Sequence, residues 1–402
     1  MRRTMTSKET PLNVLARTNL AKYLNERQKL AEKNRSDQPD SLRGRCVLVL
    51  SSESTFAEAL NMMHTVRVQS VPLVRYKAPR SSGLYDALCF LSIGDLVATL
   101  IEHCDKAELR TDLGTFSTMA RLATIGLELE SLPLKQARTK WDGTVVWKGA
   151  SSSYSLADCL DRCLYISSGT LPGEVALRAS PHRFAVMSEK DNTIEYIVSQ
   201  SDIVMYLHTN RDILTGLFTD ATVQELGLAQ TPGVATVPAS MPTIECFREM
   251  ERHRVGAVAI VDEATRALIG TLSESDLTRL HSGASFAALA LPVAEFIMHV
   301  NDISCWTPPV SQRQGLFDPN SSAFSVALMQ HAEKLVVACR RTDTLTDVLT
   351  KMDVHAVHRV WIVDDQGQPT GVISLADVLA CVSNMGMSAE DVRVARAKMM
   401  VA

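Results

Sequence analysis

The feature that most constrains this chain is a unit that recurs four times. A short β-type run is followed by serine, two variable residues and aspartate, and then by an apolar stretch of helical character. The pairs are Ser92 and Asp95, Ser199 and Asp202, Ser273 and Asp276, and Ser374 and Asp377. One serine followed three residues later by an acid is an ordinary helix N-terminal signal, but four in equivalent contexts mark a repeated structural unit.

The surroundings of each pair fill in the unit. Upstream lie Val68–Val74, His182–Met187, Arg254–Val261 and His358–Val363, all short and rich in β-branched or apolar residues, as strands are. Before them, Thr243–Glu251 and Thr344–Met352 carry apolar residues at three- and four-residue spacing, the mark of a one-sided helix. Val237 and Val336–Cys339 supply a short leading strand, so the unit reads β-α-β-β-α and the fold class is mixed α/β (α+β). Asp364–Gly367 is hairpin-turn chemistry, and Gly270 and Gly371 fall where another group can approach the backbone closely. The first unit carries an insertion at Tyr76–Tyr85 and the second a loop at Ser167–Gly173. Long connectors run through about 103–143 and 285–333, such as carry partner contacts or disorder.

The 402 residues accommodate four units of about sixty, each too small to bury a sufficient core alone, so the units are expected to pair. With 46% hydrophobic and 21% charged residues the composition is that of a globular protein. A net charge of −4 and a pI near 6.2 give no reason to expect nucleic acid as a partner. The longest apolar candidate, Phe286–Met298, is broken by Pro292 and Glu295 and is too short for a membrane span. Nine cysteines without metal-ligand spacing and no secretory signal favour reduced thiols in the cytoplasm or nucleus. Leu12, Leu15, Tyr23 and Leu30 suggest an amphipathic helix in an otherwise polar N-terminal stretch, where Glu9, Glu26 and Glu32 argue against a transit peptide.

The recurring residues carry two readings each. An aspartate in the first turn of a helix caps it and interacts with the dipole, and its two oxygens can also accept a vicinal diol. Each serine can cap as well. His182 with Arg183, His253 with Arg254 and His358 with Arg359 place a guanidinium and an imidazole before the strands, a combination that suits phosphate oxygens. In the third copy His253 falls outside the His-Arg position, with Arg254 next to it. His355 and His358 form a His-x-x-His with no third ligand, so no metal is expected. No phosphate-binding loop, kinase catalytic segment or nucleophile elbow occurs, which points to binding rather than catalysis.

The four units resemble CBS domains. Their order and spacing are similar to the γ regulatory subunit of AMP-activated and sucrose-nonfermenting-type protein kinases, particularly the plant-like form. The resemblance spans roughly 41–387 and rests most on Val357–Asp377 and Met250–Asp262. It implies two tandem pairs in a disk-like, pseudo-symmetric assembly. The units are 41–107, 136–215, 223–285 and 331–387, with an N-terminal polar tail (1–40), a connector (286–330) and a C-terminal tail (388–402). It implies AMP, ADP or ATP as regulatory ligands, with no cofactor. Ribose would be held by Asp95, Asp202, Asp276 and Asp377, and phosphates by His182, Arg183, Arg254, His358 and Arg359. Ser273 and Ser374 would touch the nucleotide, and apolar residues such as Val363 and Ile373 would form the adenine slot. The implied partners are a kinase catalytic α subunit and a β scaffold subunit. Two departures stand out: Gln69 fills the first copy's phosphate slot, with Arg67 on the same face if that segment is extended, and Asp202 and Ser201 alter the second. A constitutive scaffold with weak sites, or an adenosyl-ligand sensor for another client, fits the same residues.

Overall fold

A computed structural model describes residues 11–25, 47–77, 84–137, 146–148, 155–164, 183–188, 193–211, 220–229, 233–300 and 336–383. It contains four three-stranded sheets, one per unit. In unit 1 they are β1 (Leu50–Ser51), β2 (Ser70–Tyr76) and β3 (Tyr85–Ser92), and in unit 2 β4 (Val146–Lys148), β5 (Arg183–Met187) and β6 (Ile194–Ser199). Unit 3 has β7 (Thr236–Pro238), β8 (Ala257–Val261) and β9 (Leu268–Ser273), and unit 4 has β10 (Ala338–Cys339), β11 (Arg359–Val363) and β12 (Pro369–Ser374).

The leading strand of every unit runs parallel to the middle one, which then pairs antiparallel with the third. A parallel pair needs a crossover, and the one-sided helix supplies it. In unit 3 this helix is Thr243–His253, which buries Ile244, Cys246, Phe247 and Met250 and turns its charges outward. The middle strand β8 is buried throughout, as its Ala-Val-Ala-Ile-Val run requires. Register pins the repeat: Ser70, Arg183, Ala257 and Arg359 stand opposite Ser92, Ser199, Ser273 and Ser374.

Two kinds of contact join the units. Helices of units 1 and 3 share one core, with Phe56, Leu96, Leu100 and Leu122 against Phe247, Phe286, Leu289 and Phe296. Units 2 and 4 share another, with Leu160, Ile203 and Leu207 against Leu345, Leu349, Val378 and Leu379. Sheets meet edge-on in the other direction. Between units 1 and 2, Ile194 N donates to Tyr85 Oη at 2.9 Å, beside Ala185 and Met187. Between units 3 and 4, Trp361 Nε1 donates to Thr271 Oγ1 at 2.7 Å and Leu268 N to Gly367 O at 2.9 Å. The contacts therefore close a ring in the order 1, 2, 4, 3.

Several expectations are corrected. The N-terminal stretch is not merely a polar tail: helix Pro11–Arg17 and helical residues 20–25 bury Val14, Leu15, Leu20, Tyr23 and Leu24 in the core of units 2 and 4, and Leu156 N donates to Thr18 O at 2.9 Å. The segment between units 1 and 2 contains helix Thr115–Glu130, which packs on the 3-10 helix Gly283–Ala290. The start of the second connector is likewise built into the core, through that 3-10 helix and helix Val293–Val300. Unit 3 ends in a 3-10 helix, Glu274–Arg279, where the other units have α-helices. Gly270 does admit a close neighbour: a Cβ there would stand 2.7 Å from Ile297 Cδ1. No described helix is long and apolar enough to cross a membrane.

Candidate functional site

All four aspartates cap their helices. Asp95 Oδ2 accepts from Ser92 N at 2.8 Å and Ser92 Oγ at 2.7 Å. The same pair of bonds joins Asp202 to Ser199 (2.8 and 2.7 Å), Asp276 to Ser273 (2.8 and 3.0 Å) and Asp377 to Ser374 (2.7 and 2.6 Å). One oxygen of each carboxylate is thus committed to the helix start, and only the other can face outward. Asp202, Asp276 and Asp377 are half-buried, whereas Asp95 is fully buried and as placed reaches no surface that a diol could touch.

The basic residues divide by register. Arg183 and Arg359 begin β5 and β11 directly opposite Ser199 and Ser374. Arg254 does not share this position: it is an exposed left-handed helix cap (φ 53°) three residues before Ala257, and Arg67 caps the first helix in the same way (φ 56°). The expectation that Arg67 lies on an extended strand face is therefore corrected. The position equivalent to Arg359 is Ser70 in unit 1 and Ala257 in unit 3, so the first copy's slot is shifted by one residue from Gln69. His182 lies outside the described residues. Ile373 is completely buried in the core of units 2 and 4 rather than lining a slot.

Residues from just these two positions of the repeat meet at each of the four interfaces. Arg183 Nη1 of unit 2 donates to Ser70 O of unit 1 at 3.4 Å. Ser201 Oγ of unit 2 lies 3.4 Å from His358 Nε2 of unit 4. A Cβ on Gly94 of unit 1 would stand 2.8 Å from Glu274 Oε1 of unit 3, and one on Gly256 would stand 3.2 Å from Arg359 Nη2 and 3.5 Å from Glu274 Oε2. The candidate site is thus the hub of the ring, where strand starts and helix starts of all four units converge.

Its electrostatics are those of a closed polar centre. Burial lowers the pKa of Arg359, opposed first by Glu274 and then by Asp276. Burial raises that of Asp276, opposed by its hydrogen bonds with Ser273 and by the charges of Arg279 and Arg359. The buried Ser70 Oγ has no hydrogen-bond partner among the described residues. The guanidiniums and the His358 imidazole give this centre the means to hold an anion, and the outer carboxylate oxygens can accept hydroxyls. Among the described residues no cluster of His, Cys, Asp or Glu could hold a metal ion.

Sequence reasoning passed over Glu274, Gly94 and Gly256. For Glu274 and Gly94 the signal lay inside the tetrapeptides, where the residue after serine is Ile93, Gln200, Glu274 or Leu375 and the next is Gly94, Ser201, Ser275 or Ala376, whereas Gly256 stands just before the middle strand. One acid and four small residues mark where neighbouring units press on a helix start.

Residues 223–283 and 333–384 match the CBS domain family. Over 217 residues the chain is 28% identical to the SNF1-related protein kinase regulatory subunit gamma-like PV42b of Arabidopsis thaliana, covering 52% of this chain and 53% of that one. Over 204 residues it is 26% identical to the 5'-AMP-activated protein kinase subunit gamma of Dictyostelium discoideum, covering 50% of this chain and 31% of that one. The Saccharomyces cerevisiae subunit of the same name is 21% identical over 334 residues, 83% of this chain and 85% of its own. The chain spans about half or less of the first two relatives. The family match falls on units 3 and 4, and units 1 and 2 repeat their order of strands and helices, so the fold is one of four like units, two of which match CBS domains. The chain is thus similar to gamma subunits of AMP-activated and SNF1-related protein kinases, of which the Arabidopsis thaliana relative is named a regulatory subunit.

Proposed function

We propose that this chain is a non-catalytic regulatory subunit that binds adenine nucleotides at the hub of its ring and reports their balance to a Ser/Thr kinase. The observation that supports this reading is that strand starts and helix starts meet across the unit boundaries, where Arg183 touches Ser70, His358 approaches Ser201, and Arg359 lies within the fields of Glu274 and Asp276. Cationic groups beside hydroxyl acceptors suit a phosphorylated nucleoside, and the relatives' names supply the kinase as client. The expected partners are a catalytic α subunit and a β scaffold subunit, and the ligands AMP, ADP and ATP.

Regulation follows from differential affinity: a nucleotide that favours one arrangement of the ring shifts the kinase with it, and one that binds both arrangements equally shifts nothing. The test is titration calorimetry of the purified chain with AMP, ADP and ATP beside an Asp377→Ala variant. Saturable binding weakened by the substitution supports the reading. Folded protein that binds none of the three would leave the second reading, a constitutive scaffold, which the buried Asp95 favours.

A further inference from the structure

The helix Ile93–Lys106 of unit 1 opens against the carboxylate of Glu274, which belongs to unit 3. A Cβ on Gly94 would meet Oε1 at 2.8 Å and Oε2 at 2.9 Å, so the carboxylate rests on the first turn of that helix. On its other side Glu274 Oε2 and Arg359 Nη2 both lie within 3.5 Å of the point a Gly256 Cβ would occupy, with Arg359 contributed by unit 4. A helix N-terminus and a half-buried guanidinium are the two things an anion site offers. Here both face a carboxylate of the protein itself.

We infer that Glu274 is an internal counter-anion that stands in the place of a ligand phosphate at the hub and sets its selectivity against charged ligands. The inference rests on the proposed nucleotide site and adds to it a residue that decides how much a phosphate contributes. A nucleoside without phosphate leaves the Glu274 to Arg359 arrangement intact. A nucleotide phosphate placed there must either displace the carboxylate or sit beside it against like charge. Two negative groups a few ångströms apart, partly screened, oppose one another by enough to change affinity by about tenfold or more. The absence of a side chain at Gly94 and Gly256 is what lets the carboxylate reach this position: a Cβ at either would press on it or on the guanidinium.

The experiment is calorimetry on the full chain with adenosine, AMP, ADP and ATP at low and moderate salt, comparing the parent with Glu274→Gln. The amide keeps the shape and removes the charge. The expected result is an AMP-to-adenosine affinity ratio raised on the order of tenfold, with adenosine affinity within about twofold of the parent and a steeper loss of AMP affinity as salt rises. A lesser role in packing alone would shift adenosine and AMP together. If both proteins bind and the ratio is unchanged or falls, the inference is overturned while the nucleotide site stands. If neither folded protein binds any of the four compounds, the site and the inference fall together. Should Glu274→Gln not fold, Glu274→Asp draws the charge back by one methylene and is expected to raise the same ratio by a smaller factor. An unmoved ratio there overturns the inference equally.

Discussion

Helix Thr115–Glu130 and the 3-10 helix Gly283–Ala290 touch backbone to backbone through two glycines, and the clash at Gly126 can be worked out atom by atom. A Cβ added at Gly126 would lie 2.1 Å from Gly283 O, 2.9 Å from Gly283 C and 2.9 Å from Phe286 Cβ. Carbon contacts are comfortable at about 3.5–4.0 Å, so the elements must part by roughly 1 Å. No rotamer relieves this, because the nearest atoms are backbone. The separation would loosen Leu122, Ile125 and Leu129 from Phe286 and Leu289, all buried in the core of units 1 and 3. Overpacking of this kind costs about 1–3 kcal/mol and occasionally more, while replacing glycine in a helix returns up to about 1 kcal/mol. Gly126→Ala is therefore expected to destabilise by about 1–2 kcal/mol net, read as a lower midpoint in urea unfolding. Gly94→Ala is the control. Its Cβ meets only the movable end of Glu274, so its stability should change by less than about 1 kcal/mol. A Gly126→Ala midpoint equal to or above the parent's would refute the reasoning, as would a Gly94→Ala loss of the same size.

Other expected outcomes follow from single contacts. Trp361→Phe removes the indole donor to Thr271 between units 3 and 4 and should cost about 1 kcal/mol, measured by the same unfolding. Glu295 is half-buried on helix Val293–Val300 and burial raises its pKa, so its ionised form disfavours the fold. The stability present below the ordinary carboxylate range is lost as pH rises through the raised value, and Glu295→Gln should gain on the parent at pH 8 but not at pH 4. Burial pushes the thiols of Cys89 to about 11 and of Cys104 and Cys339 to about 12, so in folded protein at pH 8 these should resist iodoacetamide and react fully in urea. Rapid alkylation of the folded chain at those residues would contradict their placement. A double-mutant cycle of Arg359→Gln with Glu274→Gln should give a coupling of about 0.5–3 kcal/mol, and additivity would mean that the two side chains do not interact.

The repeat was legible because it is written in local chemistry. Serine and aspartate three apart bond to each other whatever the rest of the chain does, and the apolar strands and one-sided helices around them follow from side-chain periodicity. Register was harder. Arg254 stands beside His253 in sequence as Arg359 stands beside His358, yet Arg254 ends a helix in a left-handed turn while Arg359 begins a strand. A non-glycine left-handed cap has no strong sequence signal, so neither this nor the conformation of Arg67 could be read in advance. The amphipathic character of the N-terminal stretch was legible in Leu12, Leu15 and Tyr23, but its place in the core was not, because its buried face is completed only by units 2 and 4, far along the chain. Glu274 is the same case, since its meaning comes from Gly94 and Arg359, neither near it in sequence.

Ring closure explains why the hub, rather than any one unit, is the place to expect regulation. Each middle strand begins opposite its unit's capping serine, so the pairing register alone brings a strand start and a helix start together within a unit. The two shared cores and the two sheet contacts then carry these ends to a common centre. There Arg183 touches Ser70, His358 approaches Ser201, and Arg359 faces Glu274, which rests on Gly94. Every one of these contacts crosses a unit boundary. On the proposed reading, an anion that drew Arg359 away from Glu274 would disturb contacts of unit 4 with unit 3 and of unit 3 with unit 1 together. Since the cores on either side are close-packed, such a change would be expected to pass outward as displacement rather than be absorbed locally.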